Sequence, residues 1–160
     1  MGKLMFSESQ LYRLRHQHQT IAELVNGLTE EQLRTPVNPG KWSAQQNIAH
    51  LAAYQPVFLV RIQRIQSEHE PMFERYVADN DPPFLEASEQ TVPELLEHIR
   101  KYRNSINEVL LSLDEASLAR MAIHPRYGKM DITRWVEFFL LHEAHHLFTI
   151  FMLTADLRKD

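Results

Sequence analysis

Sequences of the form Ser/Thr-x-x-Gln/Glu recur along this chain, from Ser7 to Gln10, Thr29 to Gln32, Ser43 to Gln46 and Thr91 to Glu94. In such a box the hydroxyl accepts from the backbone N–H three residues on, while the Gln or Glu side chain reaches back, so each one marks a helix start. Three of them open long stretches in which apolar residues return every three or four positions. The first carries Leu11, Leu14, Ile21, Leu24 and Leu28 and predicts a helix from about Glu8 to Gly27, with the glycine as its stop. The second follows Pro39-Gly40-Lys41-Trp42 and carries Ile48, Leu51, Ala52, Phe58, Leu59, Ile62 and Ile65 to about Glu68, with a kink expected at Pro56. The third runs from Thr91 through Leu95, Leu96, Ile99, Tyr102, Ile106, Val109 and Leu110 to about Ser112. A fourth apolar run, capped by Asp131 or Thr133, reaches about Ala155.

Four such helices, with no strand alternation between them, predict an all-α, antiparallel four-helix bundle. Thr29 to Leu33 and Asp114 to Leu118 read as single-turn helices, which hints at a two-fold internal layout of long helix, short helix, loop and long helix. The segment Glu70 to Gln90, with Pro71, Pro82, Pro83 and the Asp79-Asn80-Asp81 tip, reads as a long crossover loop between the second and third long helices. At 160 residues, the chain 1–160 fits one domain with one core.

Composition narrows the chemistry. There is no cysteine, which excludes disulfides, thiolate ligands and a cysteine nucleophile, and leaves His and carboxylates as metal ligands. The formal charge of −4 comes without a long basic block, so nucleic acid is not an expected partner. Arg61 with Arg64, Arg100 with Lys101 and Arg103, and Arg126 with Lys129 read as solvated helix faces. The start, Met1 to Ser7, has no apolar signal core, and Phe6 stands where a myristoylation motif wants Ser or Thr. The longest uncharged stretch, Trp42 to Val60, carries Ser43, Gln45, Gln46, Asn47, His50 and Gln55, a costly set in lipid. A cytoplasmic protein without a membrane partner is expected.

The chemistry concentrates in His142-Glu143-Ala144-His145-His146. At 100° per residue, Trp135, Phe138, Phe139, His142, His146, Ile150 and Leu153 share one face, so two imidazoles four residues apart point inward. A divalent cation would satisfy their nitrogens. The pattern matches H-E-x-x-H, in which the Glu is a general base, but the residues after His146 include no further His. A third ligand must come from upstream, and His50, in one row with Tyr54 and Val57 on the second long helix, is the candidate. Glu143, about 100° from His142, is a possible base or a solvated carboxylate. His145 flanks the inward face as a supporting donor or a surface residue. His16, His18, His69 and His98 read as surface.

Gly27-Leu28-Thr29-Glu30-Glu31-Gln32-Leu33, Pro39-Gly40-Lys41-Trp42-Ser43 leading to Asn47-Ile48-Ala49-His50, His124-Pro125 with Gly128-Lys129-Met130, and the terminal His142-x-x-x-His146 together resemble the DinB superfamily, and within it the YfiT-like branch of predicted metal-dependent hydrolases. The resemblance implies a four-helix bundle with zinc, nickel or a similar divalent ion on three histidines, here His50, His142 and His146. It also implies either hydrolysis or S-transfer from a low-molecular-weight thiol such as bacillithiol, mycothiol or glutathione. Many relatives end this motif in Arg-Gly-Gln, where this chain has Leu147-Phe148-Thr149.

The expected function is therefore a metal-dependent hydrolase or thiol S-transferase acting on a small electrophilic molecule. The alternative is a non-catalytic interaction module, metal-stabilised or metal-free. Tyr54, Arg126 and Lys129 are the candidates for holding substrate or thiol, with Arg61 a further cation for its carboxylates. A homodimer is plausible through Tyr12, Phe73 and Tyr76, if these are exposed. A peptidase is disfavoured, since no strand edge is visible to align a peptide.

Overall fold

In the computed structural model, which describes residues 2–3 and 5–159, all four boxes close in both directions, each hydroxyl accepting from the third backbone N–H and each Gln or Glu accepting in return. Met1 and Leu4, part of the opening segment read above as lacking a signal core, lie outside the described residues. The helices are α1 (Glu8–His16), α2 (Thr20–Val25), α3 (Glu30–Arg34), α4 (Ala44–Ser67), α5 (Pro82–Ser88), α6 (Val92–Leu111), α7 (Glu115–Leu118) and α8 (Ile132–Leu157). Asp131, not Thr133, caps α8, its Oδ1 accepting from the backbone N–H of Arg134 at 2.9 Å. The helical segment α4 continues through Pro56.

Side-chain bonds between helices give their directions. Gln10 Nε2 donates to the Thr133 carbonyl, Gln17 Nε2 to that of Leu140 and Arg158 Nη2 to that of Leu24, so α1 and α2 run parallel to α8. Gln45 Nε2 donates to the Gln90 carbonyl and Arg103 Nε to Gln55 Oε1, so α4 and α6 are also parallel. The two pairs oppose one another: Phe58 of α4 stacks on Phe139 of α8 at 4.1 Å, while His50 meets His142 and His146. A bundle with this order needs one connection that travels its full length, and residues 68–91 make it.

Several expectations change. The first long helix is interrupted: a 3-10 turn at Gln17–Gln19 separates α1 from α2. There Gln17 Nε2 bonds to Glu143 Oε1 as well as to the Leu140 carbonyl. The crossover is not all loop, because Pro82 and Pro83 occupy the first turn of α5, where a missing N–H costs nothing. A hairpin of β1 (Met121–His124) and β2 (Gly128–Asp131) precedes α8, with Ala122 opposite Met130. Phe73 N donates to the Ile123 carbonyl and Ile123 N to that of Pro71, which ties the crossover to β1. Met-Ala-Ile-His and Gly-Lys-Met-Asp are too short for a visible alternation. The turn depends on Gly128 at φ +73°, and Arg126 N and Tyr127 N donate to His124 Nδ1. Phe73 is buried, so it is not a docking residue; Tyr12 is exposed.

The core has two apolar halves with a polar layer between them. One half holds Leu14, Phe58, Ile62, Ile106, Trp135 and Phe139; the other holds Ile21, Ile48, Leu51, Leu95, Ile99 and Ile150. Between them lies Arg103, which is fully buried rather than on a solvated face. Its Nη2 pairs with buried Glu143, its Nη1 donates to the Leu14 carbonyl and its Nε to Gln55 Oε1. One guanidinium thus joins α1, α4, α6 and α8. His18 is also buried, under the influence of Arg103, whereas His16 and His69 are exposed and His98 is partly buried.

Removing one partner of a buried pair strands the other charge and costs about 3–5 kcal/mol, whereas replacing both by apolar residues costs far less. Arg103→Met and Glu143→Leu should each lower the stability measured by urea unfolding by that order. The double variant should recover most of the loss, and strictly additive costs would contradict the pairing.

Candidate metal centre

Burial of Glu143 sets the rotation of α8. His142 lies 100° behind Glu143 and His146, three residues ahead, falls 60° behind it on the helix circumference. With the carboxylate turned to Arg103, both imidazoles project to the flank that faces α4. There His50, 5% exposed and held by a helix whose neighbours Ala49, Leu51 and Ala52 are packed into the core, meets them. Its Nε2 lies 3.1 Å from His142 Nε2, and one ligand nitrogen from each of His50, His142 and His146 falls within 4.8 Å of the others. His146 Nδ1 is engaged by Asn47 Oδ1 at 2.9 Å, which leaves its Nε2 for the shared point.

The electrostatics suit a cation. Burial, and next the neighbouring His142, push the His50 imidazole down to about 3. Burial followed by His50, His142 and His145 pushes His146 down to about 3, and burial with His145 and Arg61 pushes His142 down to about 4. All three are neutral near pH 7, with lone pairs available. Three neutral nitrogens are a donor set suited to zinc or nickel, and three protein ligands are the number found in catalytic sites, whereas closed structural sites have four.

The trio lines a pocket of about 570 Å³. Trp42 stacks near it, its ring 5.3 Å from His50 and 6.3 Å from His146, and Tyr76 from the crossover lies 5.7 Å from His50. Tyr54, buried one turn beyond His50, brings its ring to 4.8 Å from His142. Arg61 Nη1 donates to the Tyr54 hydroxyl at 3.1 Å while Nη2 donates to the Glu74 carbonyl at 2.9 Å. Arg75, Arg126 and His124 also line the pocket.

The expected site residues divide accordingly. His50, His142 and His146 come together, and Tyr54, Arg61 and Arg126 line their pocket. Glu143 does not join them: both its oxygens are used inside the core, by Gln17 and Arg103, so it is neither a solvated carboxylate nor a base at this centre. His145 is exposed, with its ring 5.3 Å from that of His146, and is outside the trio. Lys129 is outside the pocket lining and pairs with Glu70 at 2.6 Å. Sequence reasoning missed the positions of Asn47, Trp42 and Tyr76 around the trio. The first two belong to the motif around His50, but nothing local signals that the crossover returns Tyr76 to this place.

Burial also pushes His18 down to about 4. An unfolded chain holds imidazoles near about 6.5, so below that value it binds protons that the folded protein excludes. Stability is therefore retained above about 6.5 and falls as the pH drops toward about 4. Urea midpoints of metal-free protein should be lower at about pH 5 than at about pH 7.5. Replacing His50, His142 and His146 together by Gln should reduce that difference, and an unchanged pH dependence would contradict a neutral trio.

Comparison with known proteins agrees with this architecture. The family model of the DinB superfamily matches residues 13–150. A protein of Oceanobacillus iheyensis named "Putative metal-dependent hydrolase OB0782" is 28% identical over 138 residues, 83% of this chain and 76% of the relative. YfiT from Bacillus subtilis, described as a probable metal-dependent hydrolase with an unusual four-helix bundle topology, superposes with a TM-score of 0.80 at 18% identity, over 98% of this chain and 93% of YfiT. A DinB-like protein from Bacillus cereus superposes with a TM-score of 0.65 at 17% identity, over 93% and 91% of the two chains. At those identities the solved structures establish the shared four-helix bundle fold, and with the family model matching most of its length, the chain belongs to the DinB superfamily.

Proposed function

We propose that this protein is a metal-dependent enzyme that holds zinc or nickel on His50, His142 and His146 and hydrolyses a small electrophilic molecule. The observation that carries the reading is the convergence of three neutral imidazoles, one buried and two half-buried, from two helices in the lining of a pocket large enough for a small molecule. The names of the Oceanobacillus and Bacillus subtilis relatives, both metal-dependent hydrolases in description, support it. Bound there, a divalent ion supplies Lewis acidity and lowers the pKa of a water or thiol toward neutrality.

The chain's own groups supply binding and proton control. Burial raises the Tyr54 hydroxyl above its ordinary value, with Arg61 opposing the shift, so it stays protonated. Its oxygen accepts from Arg61, which leaves the O–H to donate to a substrate oxygen in the pocket. Arg61 is itself pinned to the Glu74 carbonyl, so the hydroxyl does not have to be reoriented during reaction. Trp42, Tyr76 and Phe138 provide apolar walls.

A second reading, S-transfer from a low-molecular-weight thiol to the electrophile, is favoured by Arg61, Arg75 and Arg126 on the pocket wall, which suit the carboxylates of such a thiol. Tag-free protein should copurify with, or take up, about one equivalent of divalent metal per three-His site. His50→Ala and His142→Ala should lose most of it, and equal metal content in all three proteins would overturn the site. Turnover of activated esters against conjugation of an electrophilic dye by a thiol panel separates the two reactions. Metal-dependent stability with neither activity would leave a non-catalytic bundle.

A further inference from the structure

Asn47 is 3% exposed and stands one turn before His50 in α4, with both ends of its amide engaged. Its Nδ2 lies 2.9 Å from the carbonyl of Ser43, the capping residue of α4, and its Oδ1 lies 2.9 Å from His146 Nδ1. A carbonyl oxygen can only accept, so the NH2 group must face Ser43 and the amide oxygen must face the imidazole. That oxygen can also only accept, so Nδ1 of His146 must carry the proton and Nε2 must be the bare nitrogen. The other two members of the trio have no comparable partner: Nδ1 of His50 and Nδ1 of His142 are buried without a hydrogen bond among the described residues.

We propose that Asn47 is a positioning residue: relayed from the Ser43 carbonyl at the start of α4, its amide locks His146 in the Nδ1–H tautomer and turns the Nε2 lone pair toward the point shared with His50 and His142. The inference rests on the metal-site reading for its purpose, but the tautomer is a property of the protein alone. It also makes His146 the pre-set ligand of the three, with its ring angle fixed before any ion arrives. Partners of this kind are worth about 10–100-fold in metal affinity.

Two-bond 1H–15N correlation spectra of metal-free wild-type protein at neutral pH should show His146 with a protonated Nδ1 and a bare Nε2. A dominant Nε2–H form would overturn the proposal. Asn47→Leu, similar in size but without an acceptor, should mix the tautomers and weaken zinc binding, measured by competition with a chromophoric chelator, by about 10–100-fold. Asn47→Asp keeps an acceptor for Nδ1 but loses the donor to the Ser43 carbonyl, so it should retain the Nδ1–H tautomer. Zinc affinity in Asn47→Leu equal to wild type, or loss of the Nδ1–H tautomer in Asn47→Asp, would sink it, as would a loss of melting temperature with no change in tautomer. If Asn47→Leu does not fold, the wild-type spectrum and Asn47→Asp decide. A wild-type protein that shows the Nδ1–H tautomer but binds no zinc would refute the metal reading and leave the positioning intact.

Discussion

The pairing of Arg103 with Glu143 is the constraint on which the rest of this structure depends. Both are buried between two apolar halves of the core, where a lone charge is prohibitively costly, so neither can be placed without the other. Because Arg103 also bonds to the Leu14 carbonyl and to Gln55, the pair fixes the height and rotation of all four long helical segments relative to one another. An apolar layer would tolerate sliding or rotation of a helix by part of a turn. A guanidinium with directional bonds tolerates much less, which makes register the main product of a contact whose net contribution to stability is small.

The candidate metal centre is a consequence of that register. Once Glu143 faces inward, His142 and His146 have one flank left, and on that flank α4 presents His50, Asn47 and Tyr54. Burial keeps the three imidazoles neutral, so the centre collects lone pairs and no charge. The cations Arg61, Arg75 and Arg126 stand on the pocket wall rather than among the three histidines. A divalent ion bound there would keep its full charge to polarise what it holds, while Tyr54, held by Arg61, offers a proton nearby.

The parts of this arrangement that depend on near neighbours in sequence were readable in advance. The four boxes, the apolar spacing within α4, α6 and α8 and the glycine stop at Gly27 are interactions between residues three or four apart, and each formed as expected. The histidine trio was readable as well, because two of its members are a single turn apart and the third belongs to a motif with Trp42. What misled was the identity of charged and polar side chains on those helices. Arg103 sits beside Arg100 and Lys101, in a cluster that resembles a solvated face, and Glu143 sits inside H-E-x-x-H, a pattern in which it is a base. His18 lies among Gln and His. Each is buried for reasons located tens of residues away.

The sequence by itself thus determined where the long helical segments start, their order and the residues able to hold a metal, since backbone hydrogen bonding and capping are settled within a few residues. Only the tertiary structure decided which way each helix turns, that the crossover brings Tyr76 to the histidines and Arg75 to the lining of their pocket, and that Glu143 belongs to the core rather than to the site. The physical reason is the cost of burying charge: it is met by a partner distant in sequence, and no local pattern announces where that partner will be.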